Sequence, residues 1–417
     1  MLLSPMPLLT SPLVRPLSED WRETLDTLAR ARGWPTSREP ERLAVCVANL
    51  SEAYNAEGQS AALRTPEALA ARLGFSFPRD VPKAAGAIRE LLATGLLRMP
   101  SDRPLRILDL GAGLGASSWG VSRALEALGA PSAGRIESTC IDDDTAALGL
   151  AVALAHARSG RPPIELAIEP VRASIAQGLS RVKGPFDLVL LGQVLSELGS
   201  QRDPERLERH ASLIRSSLEA IAPHGSVVII EPALRDRTRH LHALRDALVG
   251  QSSAKVTVFA PCVHGAPCPA LAEEGQWCHE DLDVDLPVWL AAVARGAGLR
   301  WQGLTFSYLV LRKDGRSLRT SLAETLSPAA LVRVVSGAIV TKGKREAFVC
   351  GELERDGTRV LARARAMRLD RDANESNREW HELARGDLLA CDPPLDATKP
   401  RIRQGSRLTC ATPKAER

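Results

Sequence analysis

From about residue 105 to 312 the chain alternates short Leu-rich or β-branched runs with amphipathic stretches, and this alternation limits the possible folds more than any other feature. The runs lie at 106–110, 137–141, 164–168, 186–191 and 226–231, and the segments between them carry apolar residues at helical spacing. Strands separated by helices do not pair as hairpins. They pair parallel and bury both faces under the helices, which is an α/β, Rossmann-like architecture. A chain of 417 residues has room for more than this one unit. Residues 18–100 read as a helical N-terminal unit, with helices at 21–32, 39–49, 66–73 and 82–97. Residues 101–313 form the sheet domain. Residues 314–390 read as a small β-rich basic domain, with strands at 331–340, 346–350 and 359–364. Residues 391–417 carry Pro and charge but little apolar content, so a disordered tail is expected there, and a loose start is expected over the first seventeen residues.

No apolar run approaches the roughly 18 residues that a membrane-spanning helix needs, and the N-terminus lacks the basic start of a secretory or transit peptide. Of the 54 basic residues 46 are Arg, which, with abundant Ala and Leu, reads as a GC-rich bacterial composition and a cytoplasmic protein. The net charge of +4 is unevenly placed: residues 300–417 hold 23 Arg and Lys against 15 Asp and Glu. A basic terminal module on a nearly neutral body suits contact with nucleic acid, where Arg and Lys neutralise phosphates; a solvated charged face is the alternative. In a reducing compartment the eight cysteines are free thiols rather than disulfides.

The first strand runs into a glycine turn, Leu108-Asp109-Leu110-Gly111-Ala112-Gly113-Leu114-Gly115, with a helix following. Glycines are needed where the backbone turns sharply and lies against a ligand. The second strand ends about thirty residues on at Asp142, the position at which nucleotide-type folds place a carboxylate for the ribose hydroxyls. The acid before the turn, Asp109, and the turn's shortness look like the S-adenosylmethionine methyltransferase pattern rather than the dinucleotide one. Asp109, Gly111, Ala112, Gly113, Gly115, Asp142 and Gln193 are therefore the candidate cofactor-binding residues. Asp143 and Asp144 read as helix N-capping or solvated acids in front of Thr145. Gln193, Ser196 and Glu197 fall at the carboxyl edge of the fourth strand, where a methyl acceptor must enter. Glu197 reads more simply as a solvent-facing acid at a helix start. No Asn/Asp-Pro-Pro-aromatic turn follows that strand, and no cysteine stands where a cytosine-C5 enzyme needs one, so the catalytic residues stay unassigned.

Cys262, Cys268 and Cys278 lie in a Gly/Pro-rich loop at 261–280. Thiols this dense suit a soft metal and otherwise oxidise. The spacings depart from the C-x-x-C pairs of zinc ribbons. Cys350, at a strand end, is the best fourth ligand; His264 or His279 could instead complete a three-cysteine zinc site. Chemistry alone ranks zinc slightly ahead of an iron–sulfur cluster. Trp277 reads as packing over the site.

The glycine motif, the cysteine loop, FSFPRDVPKAAGAIREL at 75–91, FDLVLLGQVLSEL at 186–198, SYLVLRK at 307–313 and RVVSGAIVTKGKREAFVCGE at 333–352 together resemble one family. It comprises the methyltransferase-like assembly factors of the mitochondrial small ribosomal subunit and their bacterial relatives. The resemblance implies an S-adenosylmethionine methyltransferase fold and a [4Fe–4S] site mapping onto Cys262, Cys268, Cys278 and Cys350, which moves the preference from zinc to iron–sulfur. It also implies binding to the small ribosomal subunit during maturation, with methyl transfer to ribosomal RNA as the proposed chemistry. The alternative is a non-catalytic RNA-binding factor that uses the fold as a scaffold. The family usually has a glycine soon after the Glu-Pro pair that follows the fifth strand; this chain reads Glu231-Pro232-Ala233-Leu234. The oligomeric state is not read from the sequence.

Overall fold

The computed structural model describes residues 12–55, 62–129, 134–161, 163–250, 256–326 and 329–411. Four helices come first: α1 (Glu19–Arg30), α2 (Pro40–Asn55), α3 (Pro66–Ala71) and α4 (Phe77–Ala93). The sheet domain follows with β1 (Leu105–Leu110), α5 (Ala116–Ala127), β2 (Arg135–Asp142), α6 (Thr145–Arg158), β3 (Glu165–Arg172), α7 (Ile175–Arg181), β4 (Phe186–Gly192), α8 (Arg206–Ala220), β5 (Ile221–Glu231) and α9 (Arg235–Val249). It is completed by β6 (Thr257–Ala260), β7 (Glu280–Leu282), α10 (Ala291–Gly296) and β8 (Leu304–Arg312). The strand order is β3-β2-β1-β4-β5-β8-β6, with β7 beside β8. The first five strands are parallel and β8 runs antiparallel between β5 and β6. This is the Rossmann-like methyltransferase arrangement. Its order reverses between β1 and β4, so their carboxyl ends diverge and leave a crevice there.

The central strands β1, β4 and β5 lie where their apolar runs place them because both faces are buried, whereas the edge strand β3 leaves Glu169 and Pro170 exposed. Val189, Val227, Val228 and Ile229 are fully inaccessible. The N-terminal helices are not a separate unit, contrary to the sequence reading. Trp21, Phe77 and Trp119 share one core with β1 and β2, the two tryptophans meeting edge to face at 4.9 Å between ring centroids. Helix α4 lies so close to α5 that a Cβ at Gly120 would sit 2.3 Å from the Val81 carbonyl oxygen. The loose start is corrected in part: Leu13, Val14 and Leu17 are buried in the same core, while residues 1–11 lie outside the described residues.

After α11 (Leu318–Leu326) come β9 (Ala330–Val334), β10 (Ile339–Thr341), β11 (Lys344–Arg355), β12 (Thr358–Leu369), α12 (Glu379–Glu382), β13 (Leu388–Asp392), β14 (Arg401–Ile402) and β15 (Arg407–Cys410). The expected single strand at 331–340 breaks around Ser336-Gly337 into β9 and β10. The β11–β12 hairpin turns on Asp356 and Gly357, both at positive φ (50° and 76°), as a two-residue hairpin loop requires. The expected tail disorder is overturned for residues 391–410. Leu395, Ile402 and Leu408 are at most 5% exposed and complete a core built on Val332, Val349, Leu353 and Trp380. Few apolar residues suffice there because the other strands supply most of the core. Residues 412–417 lie outside the described residues. No helix among the described residues is long and apolar enough to cross a membrane.

Candidate active site and cysteine cluster

A cleft of about 910 Å³ opens at the carboxyl ends of β1 and β4, under the N-terminal helices. Gly111, Gly113 and Gly115 all adopt positive φ (67°, 51° and 77°), which side-chain-bearing residues avoid. The N–H groups of Gly111 and Ala112 donate to the Ile141 carbonyl (2.8 and 3.1 Å), so these two fix the turn to β2 rather than point at a ligand. Gly113 instead donates to the Asp142 carboxylate at 2.8 Å, and a Cβ on it would meet nothing within 4 Å. The other Asp142 oxygen accepts from the Asp144 N–H at 2.8 Å. Asp142 thus links the turn to the start of α6 and lines the cleft. Burial raises its pKa, although both backbone donors favour the charged form.

Asp109 lies behind the turn, 1% exposed, and accepts from the Ser118 hydroxyl at 2.7 Å. Burial pushes its pKa up to about 7 against that hydrogen bond. Asp144 caps α6 by accepting from Ala146 and Ala147, and Asp143 pairs with Arg64 at the surface; both match the sequence reading. Gln193 has φ 61° and donates its backbone N–H to Ile230.

The N-terminal helices contribute residues that the sequence reading did not assign. Between α3 and α4 the chain makes one π-helical turn, Arg72–Ser76, a distortion frequent at functional sites. Arg72 reaches from this turn to Asp144 at 3.0 Å. Nearly two turns into α4, Lys83 donates to Asp80 (2.8 Å) and to the Gln193 side chain (3.3 Å), bridging the helix to the edge of β4. Tyr54 also lines the cleft; burial pushes its pKa up to about 12. Glu231, at the end of β5, accepts the backbone N–H groups of Leu195 and Ser196 (2.9 and 3.2 Å) and so holds the short turn carrying Glu197. Glu197 lines the cleft and is also exposed, as expected of a solvent-facing acid, and desolvation raises its pKa to about 7. The same cause brings Glu231 to about 7. Only the acid of the Glu-Pro pair could have flagged Glu231 in the sequence. Nothing local flagged Lys83 or Arg72.

Cys350 on β11 is brought near the loop that carries Cys262, Cys268 and Cys278. Charge on Cys262 is felt at Cys268, Cys278 and Cys350, and all four are free thiols. Burial, then Cys262, pushes Cys268 up to about 11 and Cys278 up to about 12, and takes Cys350 well above its ordinary value. Helix α9 holds the loop. Arg239 donates to the carbonyls of Ala270, Glu273 and Gln276, Arg245 donates to those of His264 and Ala266, and Asp246 accepts the Cys268 N–H. Arg245 and Asp246 follow Arg239 by six and seven residues, close to two helical turns, so one helix face pins the loop. His264 stands 3.7 Å from the Cys350 sulfur through Nε2, and burial followed by Arg245 lowers its pKa to about 4. Trp277 stacks on His279 at 5.9 Å. Among the described residues no three His, Cys, Asp or Glu side chains are arranged to hold a single metal ion.

A family model described as mitochondrial small ribosomal subunit Rsm22 matches residues 79–384. Similar solved structures include the magnesium protoporphyrin IX methyltransferase ChlM of Synechocystis PCC 6803 with bound SAM. It is 11% identical, over 56% of this chain and 82% of that one, at a TM-score of 0.32. The plantazolicin methyltransferase BpumL in complex with SAH is 12% identical over 66% and 98%, at 0.33. The precorrin-6y C5,15-methyltransferase of Geobacter metallireducens GS-15 is 15% identical over 53% and 86%, at 0.29. No curated protein matches the chain.

Proposed function

The chain belongs to the Rsm22 family of the mitochondrial small ribosomal subunit, and from that premise we propose that it is an S-adenosylmethionine-dependent methyltransferase that works on small-subunit ribosomal RNA. The observation that carries the reading is the glycine turn joined to Asp142 at the switch point of the sheet. The turn leaves open space at Gly113, and Asp142 presents a carboxylate beside it, so the residues present fit an adenosyl ligand. Asp142 would hold the ribose hydroxyls, and Gln193 would close the pocket from the β4 side. When bound, S-adenosylmethionine supplies an electrophilic methyl group. Glu197 and Lys83 line the cleft, and Lys83 is held there by Asp80 and Gln193.

The finer reading of the thiols is a [4Fe–4S] cluster on Cys262, Cys268, Cys278 and Cys350, with zinc as the other metal. The four free thiols, with His264 Nε2 3.7 Å from the Cys350 sulfur, are the donor set such a group would take. Such a group would tie the loop at 261–280 to β11.

The scaffold reading is favoured by one observation: the β4 edge carries Gln193-Val194-Leu195-Ser196, with no acceptor-specific motif. Titration calorimetry with S-adenosylmethionine on wild type and Asp142→Ala, paired with co-sedimentation with small-subunit particles at low salt, decides between them. Binding that Asp142→Ala abolishes supports the methyltransferase. Co-sedimentation without cofactor binding leaves the scaffold, and neither result defeats both.

A further inference from the structure

The C-terminal strands run β14-β12-β11-β9-β13-β15, and the two ends of this path are joined by only four residues, 403–406. The sheet therefore curls back on itself into a small barrel. Neighbouring strands are antiparallel except β12 and β14, which are parallel. The helical segment carrying α12 lies between β12 and β13 and places Trp380, fully buried, in the barrel core. Counting β14 and β15 as one interrupted fifth strand, the order is 1-2-3-5-4 closing on 1, with strands 3 and 5 parallel and a helix between 3 and 4. That is the OB-fold topology. OB barrels bind oligonucleotides on the face of strands 2 and 3 and with the loops between strands 1–2 and 4–5.

Topology alone does not make a site; the side chains on that face are the second observation. Ala347, Val349 and Leu353 of β11 and Ala366 of β12 point into the barrel, so the alternate residues point out. On β12 the outward residues are Arg359, Leu361, Arg363 and Arg365, and on β11 they include Phe348. Arg363 lies over the Phe348 ring at 4.3 Å, and its Nε has no hydrogen-bond partner among the described residues. Arg359 and Arg365 pair with Glu352 and Glu346, but the arginine side chains are 43% and 49% exposed. Their partners Glu352 and Glu346 are 17% and 7% exposed, so each arginine head stays paired on its inner side and can meet a phosphate from the solvent side. Leu361 is 42% exposed, and Val340, on the short strand β10 between the first two barrel strands, is 64% exposed. The barrel, residues 330–411, holds 16 Arg and Lys against 12 Asp and Glu. An aromatic ring and an exposed aliphatic side chain among arginines suit unpaired bases stacked over a phosphate track, which is how single strands are bound.

We propose that residues 330–410 form an OB-type barrel whose outer β11–β12 face, centred on Phe348 and Arg363 and flanked by Arg359 and Arg365, binds a short stretch of single-stranded RNA. The choice of RNA over DNA rests on the ribosomal reading above. Cys350 lies on the same strand face, between Phe348 and Glu352, so the RNA track borders the thiol cluster.

The test is fluorescence anisotropy of the full chain with a labelled single-stranded RNA of about twelve nucleotides and with a duplex of equal length, across a salt series. Arg359→Ala/Arg365→Ala removes two exposed cations, and circular dichroism of this variant is expected to match wild type. Two lost phosphate contacts lower the magnitude of the log–log salt slope by about 1.4 and weaken binding by about tenfold or more at low salt. Phe348→Ala is expected to weaken binding with the slope unchanged, since stacking releases no counterions. No binding by wild type at low salt, an unchanged affinity in both variants, or equal affinity for the duplex would each overturn the proposal. Calorimetry with S-adenosylmethionine on the same samples separates this result from the fate of the donor cleft. A chain that fails to bind the cofactor but shows the slope change keeps the barrel site and loses the methyltransferase.

Discussion

Glu90→Gln should destabilise this protein far more than its conservative chemistry suggests. Glu90 in α4 and Arg333 in β9 meet at 2.6 Å with side chains 2% and 5% exposed. The Tyr308 hydroxyl donates to the other Glu90 oxygen at 3.0 Å. Beside them Arg89 donates to Glu280 at 2.6 Å, with side chains 3% and 2% exposed. A glutamine keeps the Tyr308 bond but leaves the Arg333 guanidinium buried without its counter-charge, a loss of about 3–5 kcal/mol. Arg333→Met strands Glu90 in the same way. The double variant removes both charges and is expected to lie within about 2 kcal/mol of wild type, so the cycle should return a coupling of about 3 kcal/mol or more. Urea unfolding followed by circular dichroism, with midpoints and slopes for all four proteins, gives these values. Single variants that cost under about 1 kcal/mol, or costs that simply add, would refute the claim that this network clamps the barrel to the sheet domain. The result also bears on the thiols. Arg333 is the strand partner of Cys350, and Glu280 follows Cys278 by two residues, so the clamp sets the spacing between the loop and β11.

Other outcomes follow from the same geometry. Asp109 has its pKa raised to about 7 by burial, so the folded chain keeps a proton that the unfolded chain releases near pH 4; stability must fall as pH rises between those values. Asp109→Asn should flatten this fall by up to roughly 4 kcal/mol in urea midpoints measured from pH 4 to 8, and a wild-type-like profile in the variant would count against it. Gly120→Ala drives a methyl group to 2.3 Å from the Val81 carbonyl and should cost about 1–3 kcal/mol, read as a lower Tm; equal stability would show that α4 and α5 do not cross this closely. Anaerobically purified wild type should carry about four irons and four acid-labile sulfides per chain, lost in Cys350→Ser, whereas one zinc and no sulfide would remove the cluster reading.

The parallel strands could be read from the sequence because burial on both faces forces continuous apolar runs, and Ile107, Val189 and Val228 mark them. The glycine turn was legible for a related reason: positive φ at three positions within five residues leaves almost no choice but glycine. The φ of 61° at Gln193 gave no such sign, since glutamine does not mark a left-handed position. The barrel's last strands were misread because Pro393, Pro394 and nearby charges dominate the local composition, while the decisive contacts, Leu395, Ile402 and Leu408 against Trp380, are made to strands far back in the chain. Lys83 and Arg72 were missed on the same account. Each is an ordinary exposed-looking base on an amphipathic helix until Trp21 and Trp119 lock that helix layer over the crevice. What the sequence carries locally is thus the ligand-facing turn. What long-range packing adds is the roof over it and the clamp behind it, and both run through α4: Lys83 reaches the cleft while Glu90, two turns on, holds Arg333 beside Cys350. One helix therefore spans the cleft and the ion pair beside Cys350.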